Sequence, residues 1–247
     1  MIDNMAGWNC QKSLLSLAIP KHVAIIMDGN RKWARKHQLS LWKGYAKGID
    51  ALIKAVQVSI KIGIRVLTVF AFSTENWHRS QREVNLLMKL FQRSLLKYKA
   101  QLIDMGVQLK SIGDEMELPQ EIRNNLLEVK RATEEGQALQ LVLALNYGGR
   151  DDLRRAVVKI IRDVIDHEIC LDSITEELIS RYLDTSFLED PDLLIRFGGE
   201  KRMSNFLLWQ ISYAELYLSE ILWPDFSEKD FYLAISEYQK RQKRKGT

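Results

Sequence analysis

At 247 residues, with 46% apolar and 28% charged residues, the chain has the size and make-up of one globular α/β domain. Its 36 Lys and Arg against 32 Asp and Glu give +4, but residues 240–247, KRQKRKGT, hold five cations and no acid, so the rest is near neutral and argues against a basic nucleic-acid surface. Two cysteines lack zinc spacing, four histidines form no HExxH pair, no apolar run reaches the roughly 18 residues of a membrane span, and the N-terminus lacks the basic start of a signal peptide, so a cytoplasmic protein is expected.

In chain order, apolar runs that read as strands alternate with segments of helical spacing. HVAIIM comes first, followed by a helix over 47–62 with Ile49, Leu52, Ile53, Val56 and Ile60 on one face. VLTVFAF precedes a helix over 83–103, and VQLKSI and LQLVLALN follow. A helix over 152–165, the strands DLLIRF and AELYLS, and a helix over 228–242 complete the order. Near-continuous apolar strands separated by helices predict an α/β fold, with a mostly parallel central sheet of about six strands and helices on both faces. No repeat or domain boundary interrupts residues 1–247; 1–19 read as an N-terminal extension and 240–247 as a basic tail.

Polar clusters follow several strands, where ligands of open α/β sheets gather. DGNRKW places Asp28 at a strand end, then Gly29, Asn30, Arg31, Lys32 and Trp33 at a helix start. Two readings stand side by side: Asp28 or Asn30 caps the helix, or the turn binds phosphate through backbone amides and the two cations. In STENWHRSQRE, Ser80 and Glu83 match a capping box, which leaves Asn76, Trp77 and Arg79 unexplained. RFGGEKRMSN offers Arg196, Lys201, Arg202, Ser204 and Asn205 around a Gly198-Gly199 turn, a donor set suited to polyphosphate. Two anion sites invite Mg²⁺, for which Asp28 and, more weakly, Glu215 are the carboxylates at strand edges.

The segments HVAIIMDGNRKWA, LTVFAFSTENWHR, LALNYGGRDD, LLIRFGGEKRMSNFLLWQISYAELYL and LWPDFSEKDF, in this order, resemble the cis-prenyltransferase family in its bacterial, undecaprenyl-forming branch. The resemblance spans roughly residues 20–246. It implies Mg²⁺-dependent condensation of isopentenyl diphosphate onto an allylic diphosphate such as farnesyl diphosphate, with cis double bonds. The product would be a long polyprenyl diphosphate, as in the carrier-lipid precursor for cell-wall synthesis. A homodimer and peripheral membrane contact through the lipid product are also implied. Residue by residue, Asp28 becomes the metal-associated catalytic acid and Asn76 the residue assigned as proton acceptor. Gly29, Asn30, Arg31 and Lys32 become the allylic diphosphate cradle. Trp33, Ser73, Thr74, Glu75, Trp77 and Arg79 position the substrates; Arg196, Arg202, Met203 and Ser204 hold isopentenyl diphosphate; Glu215 is the second metal carboxylate. Arg244 and Gly246 match a C-terminal R-x-G element that reaches a diphosphate across the dimer.

An amide is a poor base, so Asn76 is expected to position the proton or the diphosphate, with a phosphate oxygen as acceptor. Trans-type enzymes use DDxxD clusters; DDLRR ends in Arg155 and disfavours that chemistry. A non-catalytic partner subunit of the same fold would be expected to lose Asp28, Asn76, Arg196 and Arg202, all retained here. The chain departs from the family pattern at Lys32, Leu41, Tyr45 and Lys201. Leu139 matches a position where the family closes its product tunnel with a bulky residue; plain core leucine is the other reading.

Overall fold

The computed structural model describes residues 18–241. All six apolar runs form strands: β1 (His22–Ile26), β2 (Val66–Ser73), β3 (Val107–Ile112), β4 (Leu139–Tyr147), β5 (Leu193–Arg196) and β6 (Glu215–Leu218). They make one sheet in the order β3-β4-β2-β1-β5-β6, with every pairing parallel. Parallel strands need crossovers, and the helical segments supply most of them. These are α1 (Asn30–Lys36), α2 (Leu41–Ile62), α3 (Gln81–Asp104), α4 (Gln120–Ala132), α5 (Gly149–Ile165), α6 (Glu176–Tyr182) and α7 (Glu228–Lys240).

Both sheet faces are covered, which is why the strands read as continuous apolar runs rather than alternating ones. Strand alternation splits the core in two. Val23, Ile25, Leu67, Val69 and the series Leu139, Leu141, Leu143 and Leu145 belong to the cluster under α2, α3, α4 and α7. Ala24, Ile26, Val142, Ala144 and Leu194 pack with Phe206 and Leu207 on the other face.

α2 starts six residues before the apolar period becomes visible. Ser40 caps it by accepting the Lys43 N–H, and Gly63 ends it at φ 82°. The sequence pattern does not predict α4, because its buried residues Ile122, Leu126 and Val129 are scattered through a charged segment. α6 is a single short helix capped by Thr175.

Strand order turns back on itself between β1 and β5: the chain leaves β1 toward β2 and later returns to β5 on the other side. Such a switch point opens a crevice beyond the carboxyl ends of the two strands. Ile26 and Arg196 are paired there, so the residues that follow them meet over that crevice.

Candidate active site

Asp28 and Arg196 occupy the crevice. Arg196 is buried, and its Nη2 donates to Asp28 Oδ2 at 2.8 Å. Its Nη1 donates to Ser204 Oγ at 2.6 Å and to the Arg202 carbonyl, which fixes the loop after β5 around the guanidinium. Arg196 Nε and Asn30 Oδ1 are buried without a partner, an uncommon state for polar atoms and one that marks the place for explanation.

Neither Asp28 nor Asn30 caps α1. Gly29 is its N-cap at φ 107°, with no side-chain cap, while Asp28 Oδ1 accepts the Gly29 N–H at 2.7 Å. A Cβ on Gly29 would sit 3.0 Å from Leu222 Cα, so space and backbone both demand glycine. Gly198, at φ 91°, lets the β5 loop approach the Asp28 backbone, where a Cβ would lie 2.9 Å from the Asp28 carbonyl carbon. Glu200 then ties the two loops: it accepts from Lys32 Nζ at 2.8 Å and from Arg202 Nη1 at 2.7 Å.

The 3-10 turn Thr74–His78 after β2 forms a second wall. Its capping box is Ser73 with Asn76, not Ser80 with Glu83. Ser80 does accept the Glu83 N–H, but the Glu83 carboxylate turns inward, where it accepts from Arg79 Nη1 at 2.9 Å and Tyr45 Oη at 2.8 Å. A buried carboxylate beside a guanidinium gains more from that pairing than from a backbone amide at a helix end. Arg31 Nε lies 3.8 Å from the same carboxylate. Sequence does not single out Glu83, Glu200 or Asn146 as site residues; a carboxylate or amide becomes legible there only through its partners.

Below this polar mouth runs a cavity of about 940 Å³. Leu141, Leu143 and Leu145 of β4 form one wall; Leu87, Phe91 and Leu95 of α3 face it. Leu139 does not line it, but lies one side-chain repeat further along the same face, beneath Leu141. The mouth is lined by Asp28, Gly29, Asn30, Arg31, Lys32, Ser73, Glu75, Asn76, Arg79, Arg196, Arg202 and Ser204. Burial pushes the Glu75 carboxyl up, but hydrogen bonds from Asn205 and its own turn prevail and hold it below the usual value. Burial drives the Tyr45 phenol far above its ordinary value, so it stays a neutral hydrogen-bonding group.

Several expected residues lie elsewhere. Trp33 faces away from the cavity, donating to Asp225 Oδ1 at 2.6 Å and lying against His37. Met203 packs against the second core cluster. Thr74 touches the main chain at Gly148, and Trp77 packs edge-on against Phe72 with ring centres 5.0 Å apart. Glu215 begins β6, level with Leu193 and Val23 at the opposite end of the sheet from Asp28. The five residues from the level of Val23 to Asp28, at roughly 3.3 Å each in strand, and two strand spacings across keep these carboxylates apart within one chain. Glu215 pairs instead with Arg241 at 2.9 Å. Arg244 and Gly246 lie outside the described residues.

Among the described residues no three His, Cys, Asp or Glu side chains converge as a metal group. Asp28 offers a carboxylate at the switch point, where Glu200 is taken up by Lys32 and Arg202 and Glu75 by Asn205. That fits Mg²⁺, which takes one or two carboxylates and completes its shell with phosphate oxygens and water. The DD pair of α5 is occupied otherwise: Asp151 holds Arg154 and Arg155, and Asp152 is buried against Tyr147 Oη at 3.0 Å.

Residues 26–246 match the family described as "Putative undecaprenyl diphosphate synthase". An isoprenyl transferase of Chlamydia trachomatis is 47% identical over 93% of this chain and 92% of its own. The tritrans,polycis-undecaprenyl-diphosphate synthase (geranylgeranyl-diphosphate specific) of Pyrococcus horikoshii is 46% identical over 92% of this chain and 87% of its own. Among solved structures, lavandulyl diphosphate synthase from Lavandula x intermedia, crystallised with dimethylallyl diphosphate, superposes with a TM-score of 0.89 at 33% identity, covering 92% of this chain and 98% of that one. With a matching family model across nearly all its length and a polar mouth set over an apolar cavity at the switch point of its sheet, the chain belongs to the undecaprenyl diphosphate synthase family and is an isoprenyl transferase.

Proposed function

We propose that this enzyme adds isopentenyl diphosphate units to an allylic diphosphate with Mg²⁺, forms cis double bonds, and makes a long polyprenyl diphosphate, the undecaprenyl carrier-lipid precursor for cell-wall synthesis. One observation carries the reading: the Asp28–Arg196 pair stands at the mouth of an apolar cavity of about 940 Å³. A polar head with an apolar body is the shape of an allylic diphosphate, and the cavity repeats that division.

The allylic diphosphate is assigned to Gly29, Asn30, Arg31 and Lys32, its chain running down between β4 and α3. The isopentenyl diphosphate is assigned to Arg196, Arg202 and Ser204. Arginines give planar, bidentate donors to both diphosphates. Charge develops on the departing diphosphate, and fixed donors already aimed there stabilise it without reorganising. Asn76 Oδ1 accepts the Ser73 N–H at 3.2 Å, which leaves Nδ2 to donate toward a ligand. Asn76 therefore positions a diphosphate rather than removing the proton, a role left to a phosphate oxygen. Ser73, Glu75 and Arg79 frame the same wall. Thr74 and Trp77 act from behind that wall, while Trp33 and Met203 hold α1 and the β5 loop. Asp28 would hold Mg²⁺ together with diphosphate oxygens and water, and the ion would neutralise part of the diphosphate charge. Within one chain Glu215 does not join that set.

Pairing of two copies is supported by the edge strand β6, which leaves Leu216 and Leu218 exposed beside an exposed Tyr213. No helix among the described residues is long and apolar enough to cross a membrane. A lipid product would bring the cytoplasmic enzyme to a membrane surface through the product itself.

The test is incubation of the purified protein with farnesyl diphosphate and labelled isopentenyl diphosphate, with and without Mg²⁺. Metal-dependent chains with cis double bonds are expected. Absence of any elongated product would sink the reading, and all-trans products would sink its stereochemistry.

A further inference from the structure

The Thr74–His78 turn carries Asn76 into the site yet fully buries none of its own residues, so beyond the edge contact of Trp77 with Phe72 little packing fixes its position. Its two flanking side chains reach inward instead. Trp77 Nε1 donates to Asn146 Oδ1 at 2.7 Å, and Glu75 Oε1 accepts from Asn205 Nδ2 at 2.7 Å. Both asparagines stand in the left-handed region, Asn146 at φ 46° and Asn205 at φ 62°. Asparagine tolerates that region better than other side-chain-bearing residues, but the conformation still has to be held by its surroundings.

Each asparagine spends the other end of its amide on rigid main chain. Asn146, buried at the end of β4, donates from Nδ2 to the Asp114 carbonyl at 2.9 Å. Asn205, in the loop after β5, accepts the Arg150 N–H at Oδ1 at 2.9 Å, and its carbonyl accepts the Gly149 N–H at 2.7 Å. Asn146 thus ties the turn to the β3–β4 edge, and Asn205 ties it to the start of α5 next to Ser204. With both amide ends engaged, neither side chain can turn without losing a bond on each side.

We infer that Asn146 and Asn205 are positioning residues for prenyl transfer, holding the Thr74–His78 turn from two sides so that Asn76 meets the diphosphates in one place. The inference rests on the prenyl-transfer reading. A fault in turn position weakens an interaction needed in the reaction more than it weakens the fold. It should therefore appear in kcat out of proportion to any loss of thermal stability.

Asn146→Gly and Asn205→Gly keep the left-handed backbone and delete only the amides. Each should lower kcat about tenfold, the scale of one lost hydrogen bond, and Asn146→Gly, which also strands the Asp114 carbonyl, should lower the melting temperature by no more than about a few degrees. Trp77→Phe keeps an aromatic ring edge-on to Phe72 and deletes the indole N–H. The double variant with Asn146→Gly should be no slower than the slower single variant. Asn205→Asp keeps the acceptor for Arg150 but loses the donor to Glu75, and should fall as far as Asn205→Gly. The Trp77 indole N–H, identified by its loss in Trp77→Phe, should exchange slowly with solvent and lose that protection in Asn146→Gly. Unchanged kcat, multiplying losses in the double variant, full activity in Asn205→Asp, or an unprotected indole would each overturn the inference. An inactive wild-type enzyme would sink the functional reading, and indole exchange would then decide the Asn146 tie by itself.

Discussion

The two ends of the sheet use buried polar groups in opposite ways. At the amino end His22 is fully matched: its Nδ1–H donates to the Glu189 carbonyl at 2.6 Å, and its Nε2 accepts from Thr68 Oγ1 at 2.7 Å. At the carboxyl end Arg196 Nε and Asn30 Oδ1 are buried with nothing to bond. A buried polar atom left without a partner costs about 1–3 kcal/mol; Arg123 Nε, Gln210 Oε1 and Tyr232 Oη share that state away from the cavity, but Arg196 and Asn30 are the two that line it, so their hydrogen-bonding capacity is held in reserve beside the ligand space. That contrast separates residues that hold the fold from residues that wait for a ligand.

The sharpest way to break the contrast is Asp28→Asn. It keeps the shape and removes the charge, and should lower kcat by about a thousandfold while costing only about 1–3 kcal/mol of stability, the loss expected when buried Arg196 keeps a hydrogen-bond acceptor but loses its counter-charge. Steady-state turnover set beside thermal unfolding measures both, and a large stability loss would place Asp28 with the fold-holding residues. At the other end the prediction concerns pH. Burial holds the His22 pKa down to about 4 from 6.5, with contacts to Glu189 and Asp192 opposing. Between those values the unfolded chain binds the proton and the folded one does not. Stability should therefore fall as pH drops through that window, by on the order of 3 kcal/mol. Urea unfolding at pH 6.5 and at 4.5 should show the decline, and His22→Gln should flatten it.

Leu139→Ala sharpens the boundary between core and cavity. Removing a side chain directly beneath Leu141 should cost about 2 kcal/mol and deepen the cavity, so longer products should appear on reversed-phase separation. An unchanged product ladder would leave Leu139 as core alone. The smallest effect should come from Glu215→Gln, since the Arg241 pair is partly exposed and worth less than about 1 kcal/mol to the folded chain. A loss of several kcal/mol would show that the amino end of β6 is built more tightly than its exposure suggests.

Much of the fold was legible in the sequence because the six strands are buried on both faces, and continuous apolar runs such as HVAIIM and LQLVLALN can hardly be anything else once helices lie between them. The clusters at the strand ends were legible for a related reason: a parallel sheet puts every loop after a strand on one edge, so Asp28, Asn76 and Arg196 had to share it. Local signals misled where a side chain had two competing partners. SQRE matches a capping box in sequence, yet Glu83 bonds Arg79 and Tyr45, residues 4 and 38 positions away. Trp33 stands next to Lys32 in the chain, but the turn of α1 points it to Asp225.

By itself the sequence determined the parallel sheet, the edge on which chemistry gathers, and the family, since each follows from order and pattern along the chain. Only the tertiary structure decided that Glu215 lies at the far end of the sheet from Asp28, that Glu200 bridges Lys32 and Arg202, and that two left-handed asparagines hold the Thr74–His78 turn. The physical reason is range. Burial periodicity and strand order are properties of neighbouring residues, whereas a hydrogen bond between positions 69 or 130 residues apart depends on how the strands are ordered and in what register.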